Sequence, residues 1–333
     1  MFFTCRDKKE FVIYLLERYG FPYRSFGRKY VSTPGKIWGL IEFDAKEFLT
    51  GLKFRPDIFL SHGSMYAAHA AFLLRKPNIA LEDTFNFEQL GLSLPFSDVL
   101  LTADYDNPLK FRKKNVSYAG YHELAYLHPN KFKPDRTVLK ELGVSENEKY
   151  VIIRFVAWQA THDSGHKGMS LENKLRAVQE FGKHARVFIS SESKLPDELQ
   201  QYKFPVAPDR MHDALAFASL VFGESYTLLA EAAVLGTPAV LMHDTYCYYL
   251  QEQQRKYGLT FNFTESAEDQ IAAIDKAIEL LKQDNIKQTW AGKRESLLKD
   301  KIDVTAFLVW FVENYPTSFK IMKENPAYQD RFK

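Results

Sequence analysis

The sequence predicts an α/β protein built from two doubly wound, Rossmann-like domains whose strand ends face a common cleft. Short runs rich in β-branched and aromatic residues alternate with longer runs of helical period, the pattern of parallel strands joined by helical crossovers. The 333 residues are about twice the length of a typical domain, roughly 150 residues. A polar stretch at 128–136, carrying Pro129 and Pro134, breaks the alternation as a linker does. Open parallel sheets take their ligands beyond the carboxyl ends of the strands, so those ends are where function is sought.

Taken in order, Met1 to Cys5 reads as a strand, Asp7 to Tyr19 as a helix stopped by Gly20, and Tyr23 to Phe26 as a strand. A helix across Lys36 to Leu52 leads to a buried strand at Asp57 to Ser61. Met65 to Leu74 is a helix, and strands at Asn78 to Leu81, Val99 to Thr102 and Val116 to Tyr118 complete the first set. After the linker, strands are expected at 149–155, 185–190, 220–222 and 238–242. Helices are expected at 171–181, 211–217, 227–235, 267–282 and 304–314. Gly236, with Pro238 just beyond it, marks a helix C-terminus. The resulting domains are 1–130 and 131–300, followed by C-terminal helices at 301–333.

Composition narrows the function. Hydrophobic residues make up 46% and aromatic residues 15%, enough apolar surface to build two cores. Forty-four basic against 42 acidic residues leave a net charge of +2, which removes the field that non-specific nucleic-acid binding requires. Cys5 and Cys247 make neither a disulfide framework nor a zinc knuckle. No apolar run reaches the roughly 18 residues of a membrane span, and the N-terminus lacks a signal-peptide pattern. A cytoplasmic protein with at most peripheral membrane contact is expected. The chain has no Gly-x-Gly-x-x-Gly or Walker motif, which argues against a dinucleotide oxidoreductase and a P-loop kinase. Gly223-Glu-Ser225-Tyr-Thr227 departs from a hydrolase elbow at its fifth position. Asp104-Tyr105-Asp106 is a triplet too common by chance in a chain with 42 acidic residues to signal a metal.

Several strand ends carry chemistry. A buried strand runs into Gly223, after which Ser225 is placed to cap a helix whose first N–H groups form an anion site. Glu231, further along that helix, is the residue type that receives paired ribose hydroxyls. The loop from Trp158 to Gly168 contains His162, Asp163 and His166; no helix aligns the two histidines, so phosphate or sugar contact is favoured over a metal. In the first half, Ser61-His62-Gly63-Ser64 and Glu82-Asp83-Thr84 both follow buried strands. His62 is the candidate base, with Asp83 or Glu82 orienting it. Glu123 follows the last strand of that half and either lines the same cleft or simply begins a helix.

These segments resemble a known family. The strand–Gly-x-Ser–helix–Glu–Ala–Ala–x–Leu–Gly–Thr–Pro block from Leu220 to Pro238 is similar to the nucleotide-sugar segment of GT-B glycosyltransferases and non-hydrolysing UDP-N-acetylglucosamine 2-epimerases. More closely, the chain resembles the GT-B-like family DUF354. The matching stretches are Cys5 to Lys8, Ser61 to Ser64, Glu82 to Thr84, Leu94 to Asp98, Gly120 to Pro129, Arg154 to Asp163 and Phe188 to Glu192. The resemblance places this chain's start after the family's first strand and Gly-His-Pro loop, and it puts Tyr226 where the family has glycine.

What the resemblance implies is a metal-independent glycosyltransferase of surface-polysaccharide or glycan assembly. It would need no cofactor, taking a nucleotide-sugar, in the first instance a UDP-sugar, as donor and a glycan or lipid-linked acceptor. Ser225 and Thr227 would hold the diphosphate and Glu231 the ribose. Trp158, His162, Ser191 and Glu192 would line the phosphate and sugar, with His212 beside the base. His62, Asp83, Glu123 and His162 are the catalytic candidates. A 2-epimerase is the alternative within the fold, and a catalytically incomplete nucleotide-binding remnant the alternative outside enzymes. In this architecture the helices at 301–333 return to the N-terminal domain.

Overall fold

The computed structural model describes residues 1–7, 10–28, 30, 32–156, 168–191 and 193–333. Every strand pairing in it is parallel, as the alternating pattern requires. The chain divides into two compact units, one comprising Met1–Tyr118 with Phe307–Arg331, the other Ala119–Ala306 with the last two residues. The linker stretch at 128–136 therefore lies within the second unit, and the segment from Gly120 to Asn130 belongs there too.

The first unit opens with β1 (Phe3–Cys5), α1 (Glu10–Arg18), β2 (Tyr23–Ser25) and the long helix α2 (Thr33–Phe54). There follow β3 (Phe59–His62), α3 (Met65–Leu74), β4 (Asn78–Glu82), α4 (Phe87–Ser93), β5 (Val99–Ala103) and β6 (Asn115–Tyr118). These strands form two sheets among the described residues, a β1-β2 pair and a four-stranded sheet ordered β3-β4-β5-β6. The hydrophobic pattern identifies strands but does not say which neighbours pair, so the single sheet suggested by the sequence becomes two.

Helix α2 ties the pieces together. Ser32 caps it by accepting the Gly35 N–H. Thr4 donates to Glu47 at 3.2 Å, and Arg24 donates to Thr50 at 2.9 Å. Its other contact is with α3 and β3 around Phe59, Ala67, Ala70 and Ala71. There Gly51 lets the backbones close, since a Cβ would come within 2.5 Å of Leu74 and 3.0 Å of Phe59.

The second unit contains α5 (Leu124–Leu127), α6 (Thr137–Leu142), β7 (Tyr150–Phe155), α7 (Leu171–Gly182), β8 (Arg186–Ser191), α8 (Met211–Phe217), β9 (Leu220–Gly223) and α9 (Tyr226–Leu235). β10 (Ala239–Met242), α10 (Tyr248–Glu252), β11 (Thr260–Phe263), α11 (Ala267–Leu281) and α12 (Ile286–Asp300) complete it. The chain ends with α13 (Val304–Glu313) and α14 (Thr317–Glu324). The sheet order is β11-β10-β9-β7-β8. From β7 the chain moves outward to β8, then returns to place β9 on the other side of β7. That reversal creates a switch point between β7 and β9, where open α/β sheets hold their ligands.

Candidate functional site

At the switch point, Gly223 ends β9 with φ of +150°, and a Cβ there would lie 2.1 Å from the Arg154 carbonyl oxygen. Only glycine fits so close a backbone approach. The next residue, Glu224, is 1% exposed. Its carboxylate accepts the Val156 N–H at 2.9 Å and the Met169 N–H at 2.7 Å, with Lys174 Nζ 4.0 Å away. One buried carboxylate thus holds both flanks of the segment between β7 and α7. The charge-assisted bonds and the lysine offset the cost of burying it.

Ser225 then caps α9, accepting the Leu228 N–H at 3.5 Å, and Thr227 is exposed in the first turn. The Tyr226 ring stacks on His243 with centroids 4.1 Å apart. Its hydroxyl lies 2.5 Å from His243 Nδ1 and 2.8 Å from the Thr245 carbonyl oxygen. Burial pushes the Tyr226 phenol well above its ordinary pKa, so it stays a neutral hydrogen-bonding group. The Tyr226 side chain is therefore packed against the loop after β10.

Glu231, 7% exposed on α9, accepts from the Tyr126 hydroxyl at 2.9 Å and meets His212 Nε2 at 3.1 Å, both at Oε1. The His212 ring leans on Tyr126 at 5.4 Å and meets Phe132 edge-on at 6.0 Å. Oε2 has no protein partner among the described residues. The sequence placed Glu231 and His212 in one site, and the structure joins them directly. It adds Tyr126, which the sequence left without a role. Ser191, at the end of β8, accepts the Ser193 N–H at 3.3 Å. Trp158, His162 and Glu192 lie outside the described residues.

The first unit holds the second cluster. His62 Nε2 lies 3.0 Å from Asp83 Oδ1, at the ends of the adjacent strands β3 and β4. Glu82, the other candidate orienter, is committed elsewhere: its Oε1 accepts from Thr84 N, Thr84 Oγ1 and Phe85 N at 2.7–2.9 Å. Those bonds fold a turn in which Phe85 takes φ of +55°, a conformation unusual for a bulky residue and typical of constrained sites. Gly63, with φ of +59°, is pressed to 2.8 Å from Glu82 Oε2 at its Cβ position. The turn directs Glu82 inward and leaves Asp83 to His62. Glu123 is buried, 3% exposed, at the start of α5, and it belongs to the other unit. Among the described residues no group of three or more His, Cys, Asp or Glu side chains is placed to hold a metal ion. None of their helices is long and apolar enough to cross a membrane.

The parallel sheets and the Gly-x-Ser helix at the switch point define the class: an α/β protein of GT-B-like fold. The chain belongs to the family described as "Protein of unknown function (DUF354)", which matches over residues 1–305. Among solved structures, S. aureus MnaA, solved with UDP, is 12% identical, with 95% of this chain and 96% of that one covered and a TM-score of 0.62. The UDP-GlcNAc 2-epimerase from Neisseria meningitidis, bound to UDP-GlcNAc, is 16% identical with coverage of 90% and 91% and a TM-score of 0.53. The spinosyn forosaminyltransferase SpnP is 11% identical, covering 93% and 91%, with a TM-score of 0.57. No curated protein matches the chain. The fold is thus that of nucleotide-sugar enzymes, with both epimerases and glycosyltransferases as neighbours.

Proposed function

We propose that the protein is a metal-independent glycosyltransferase that uses a nucleotide-sugar donor, in the first instance a UDP-sugar. The observation that carries this reading is the His62–Asp83 pair at 3.0 Å, an imidazole beside a carboxylate. In this reading the His62 imidazole, with the Asp83 carboxylate beside it, takes the proton of an acceptor hydroxyl. The hydroxyl oxygen then bonds to the sugar C1 as the bond from C1 to the diphosphate oxygen breaks, inverting that carbon. The nucleoside diphosphate leaves with the electron pair.

On the donor side, the first N–H groups of α9, Ser225 and Thr227 receive the diphosphate, and the helix dipole stabilises its growing charge. Glu231, fixed through Oε1, offers Oε2 to the ribose hydroxyls. His212 lies beside it, and Ser191 with the residues around Trp158, His162 and Glu192 completes the sugar and phosphate contacts. A glycan or lipid-linked hydroxyl is the acceptor class.

Thermal-shift scans with UDP, UDP-sugars and GDP-sugars test the donor site, and release of free nucleotide on adding acceptor extract tests the transfer. Asp83→Asn is expected to lower turnover about 10²- to 10⁴-fold while leaving the UDP-induced shift intact. Absence of any shift would sink the reading. Interconversion of UDP-hexosamines without acceptor would identify an epimerase, and binding without turnover a nucleotide-binding remnant.

A further inference from the structure

Helix α2 has two opposite faces in different surroundings. One carries Gly39, Phe43, Glu47, Thr50 and Gly51 into the unit's interior. The other carries Ile37, Trp38, Ile41, Leu49 and Leu52, each between 47 and 62% exposed. A contiguous exposed apolar ridge marks an interaction surface, so the outward face calls for an occupant.

The spacing of that face says which. Ala45, also exposed, sits at its middle. Four residues away on either side are Ile41 and Leu49; seven away are Trp38 and Leu52. A pattern symmetric about a small residue is what an antiparallel, isologous helix pair requires: each large side chain meets its counterpart from the other copy, and the two-fold axis passes where the backbones come closest.

We infer that this face of α2 is a self-association surface, with two copies of the chain packed antiparallel across Ala45. At roughly 150–250 Å² for the largest side chains, the five ridge residues expose on the order of 500 Å². Two such faces bury on the order of 1,000 Å², the floor for a specific interface. The charges along the ridge suit a protein partner rather than an anionic bilayer. Beside it the helix carries Glu42, Asp44 and Lys46, an acidic balance. Lys46 is paired with Glu42 at 2.6 Å and Asp44 with His69 at 3.0 Å, so docking two copies strands no charge.

Light scattering coupled to size exclusion, with the full chain at tens of micromolar, is expected to give twice the 38.6 kDa of one chain. Ala45→Glu places two carboxylates at the axis and is expected to weaken the dimer at least about a hundredfold. Its far-ultraviolet circular dichroism should stay unchanged, because the position is exposed in the monomer. In a background with Cys5 and Cys247 replaced by serine, Ala45→Cys should cross-link to itself on oxidation. Lys53→Cys, eight residues from the axis, should not. A monomeric wild type overturns the inference, as does a dimer that Ala45→Glu leaves intact or that cross-links equally at both positions. A monomer that sediments with phosphatidylglycerol vesicles until Ala45→Glu is introduced overturns it in favour of a lipid surface.

Discussion

The Tyr126 hydroxyl donates to Glu231 Oε1 at 2.9 Å, across 105 positions of sequence. With His212 on the same oxygen at 3.1 Å, the carboxylate is fixed in rotation and presents its second oxygen outward. Glu231→Ala is expected to weaken UDP binding about 10- to 100-fold by calorimetry, the loss of a charge-assisted pair of bonds. Tyr126→Phe, which loosens the carboxylate without removing it, should cost less than tenfold. Equal affinity in Glu231→Ala and wild type would remove the ribose from this residue's role.

Glu224 predicts a stability effect. Replacing it with alanine strands two buried backbone N–H groups, those of Val156 and Met169, at a cost of about 3 kcal/mol. Each kcal/mol shifts the melting temperature of a unit this size by about 2–4 °C, so a loss near 10 °C is expected by calorimetry. Glu224→Gln should fall between, because one oxygen still accepts.

Gly223 is stricter. Alanine there meets the Arg154 carbonyl at 2.1 Å, a clash with backbone in the centre of the sheet that no rotamer relieves. Gly223→Ala should fail to accumulate as soluble protein, or lose more than about 4 kcal/mol in urea unfolding. Gly182, with nothing within 4 Å of its Cβ position, is the control that tolerates alanine.

Glu47 sets a pH dependence in the first unit. Burial pushes its carboxyl above the ordinary 4.5, opposed by the Thr4 hydrogen bond and reinforced by nearby Asp44. Between 4.5 and the raised value the folded chain holds a proton that the unfolded chain has released. Stability therefore falls as pH rises through that window and stays lower above it. Glu47→Gln, which can still accept from Thr4, should melt about 2–5 °C higher at pH 7. The difference should vanish near pH 4.

Much of this was legible in the residues. Asn78–Glu82 and Val99–Ala103 are uniformly buried strands that read as continuous apolar runs. Gly236, predicted to end a helix, does so with φ of +79° and its N–H on the Ala232 and Ala233 carbonyls. β11 and α12 were missed, as were the short helices α4, α6 and α10. Thr260–Phe263 is short and half-exposed, and Ile286–Asp300 buries only Ile286, Trp290 and Leu297, too sparse a stripe for its period to stand out. At the candidate sites, residue type and position singled out His62, Asp83 and Ser225 at strand ends and Glu231 on the helix that follows. Choosing Asp83 over Glu82 required the turn at Phe85, which no local pattern announces. Glu224 went unassigned because a carboxylate beside a capping serine looks like an ordinary first-turn residue until its two amide partners are seen. Tyr126 reaches Glu231 only through tertiary packing.

The way the chain is shared between its units bears on its synthesis. Residues Phe307–Arg331 belong with Met1–Tyr118, while nearly all of the intervening chain forms the other unit. The unit containing Met1–Tyr118 therefore waits on the ribosome for helices made some two hundred residues later, whereas the other has its sheet and flanking helices by Asp300. Because domains fold as units during translation, the nascent chain reverses the usual N-to-C order. Until α13 and α14 are made, the early strands lack the helices that complete their unit.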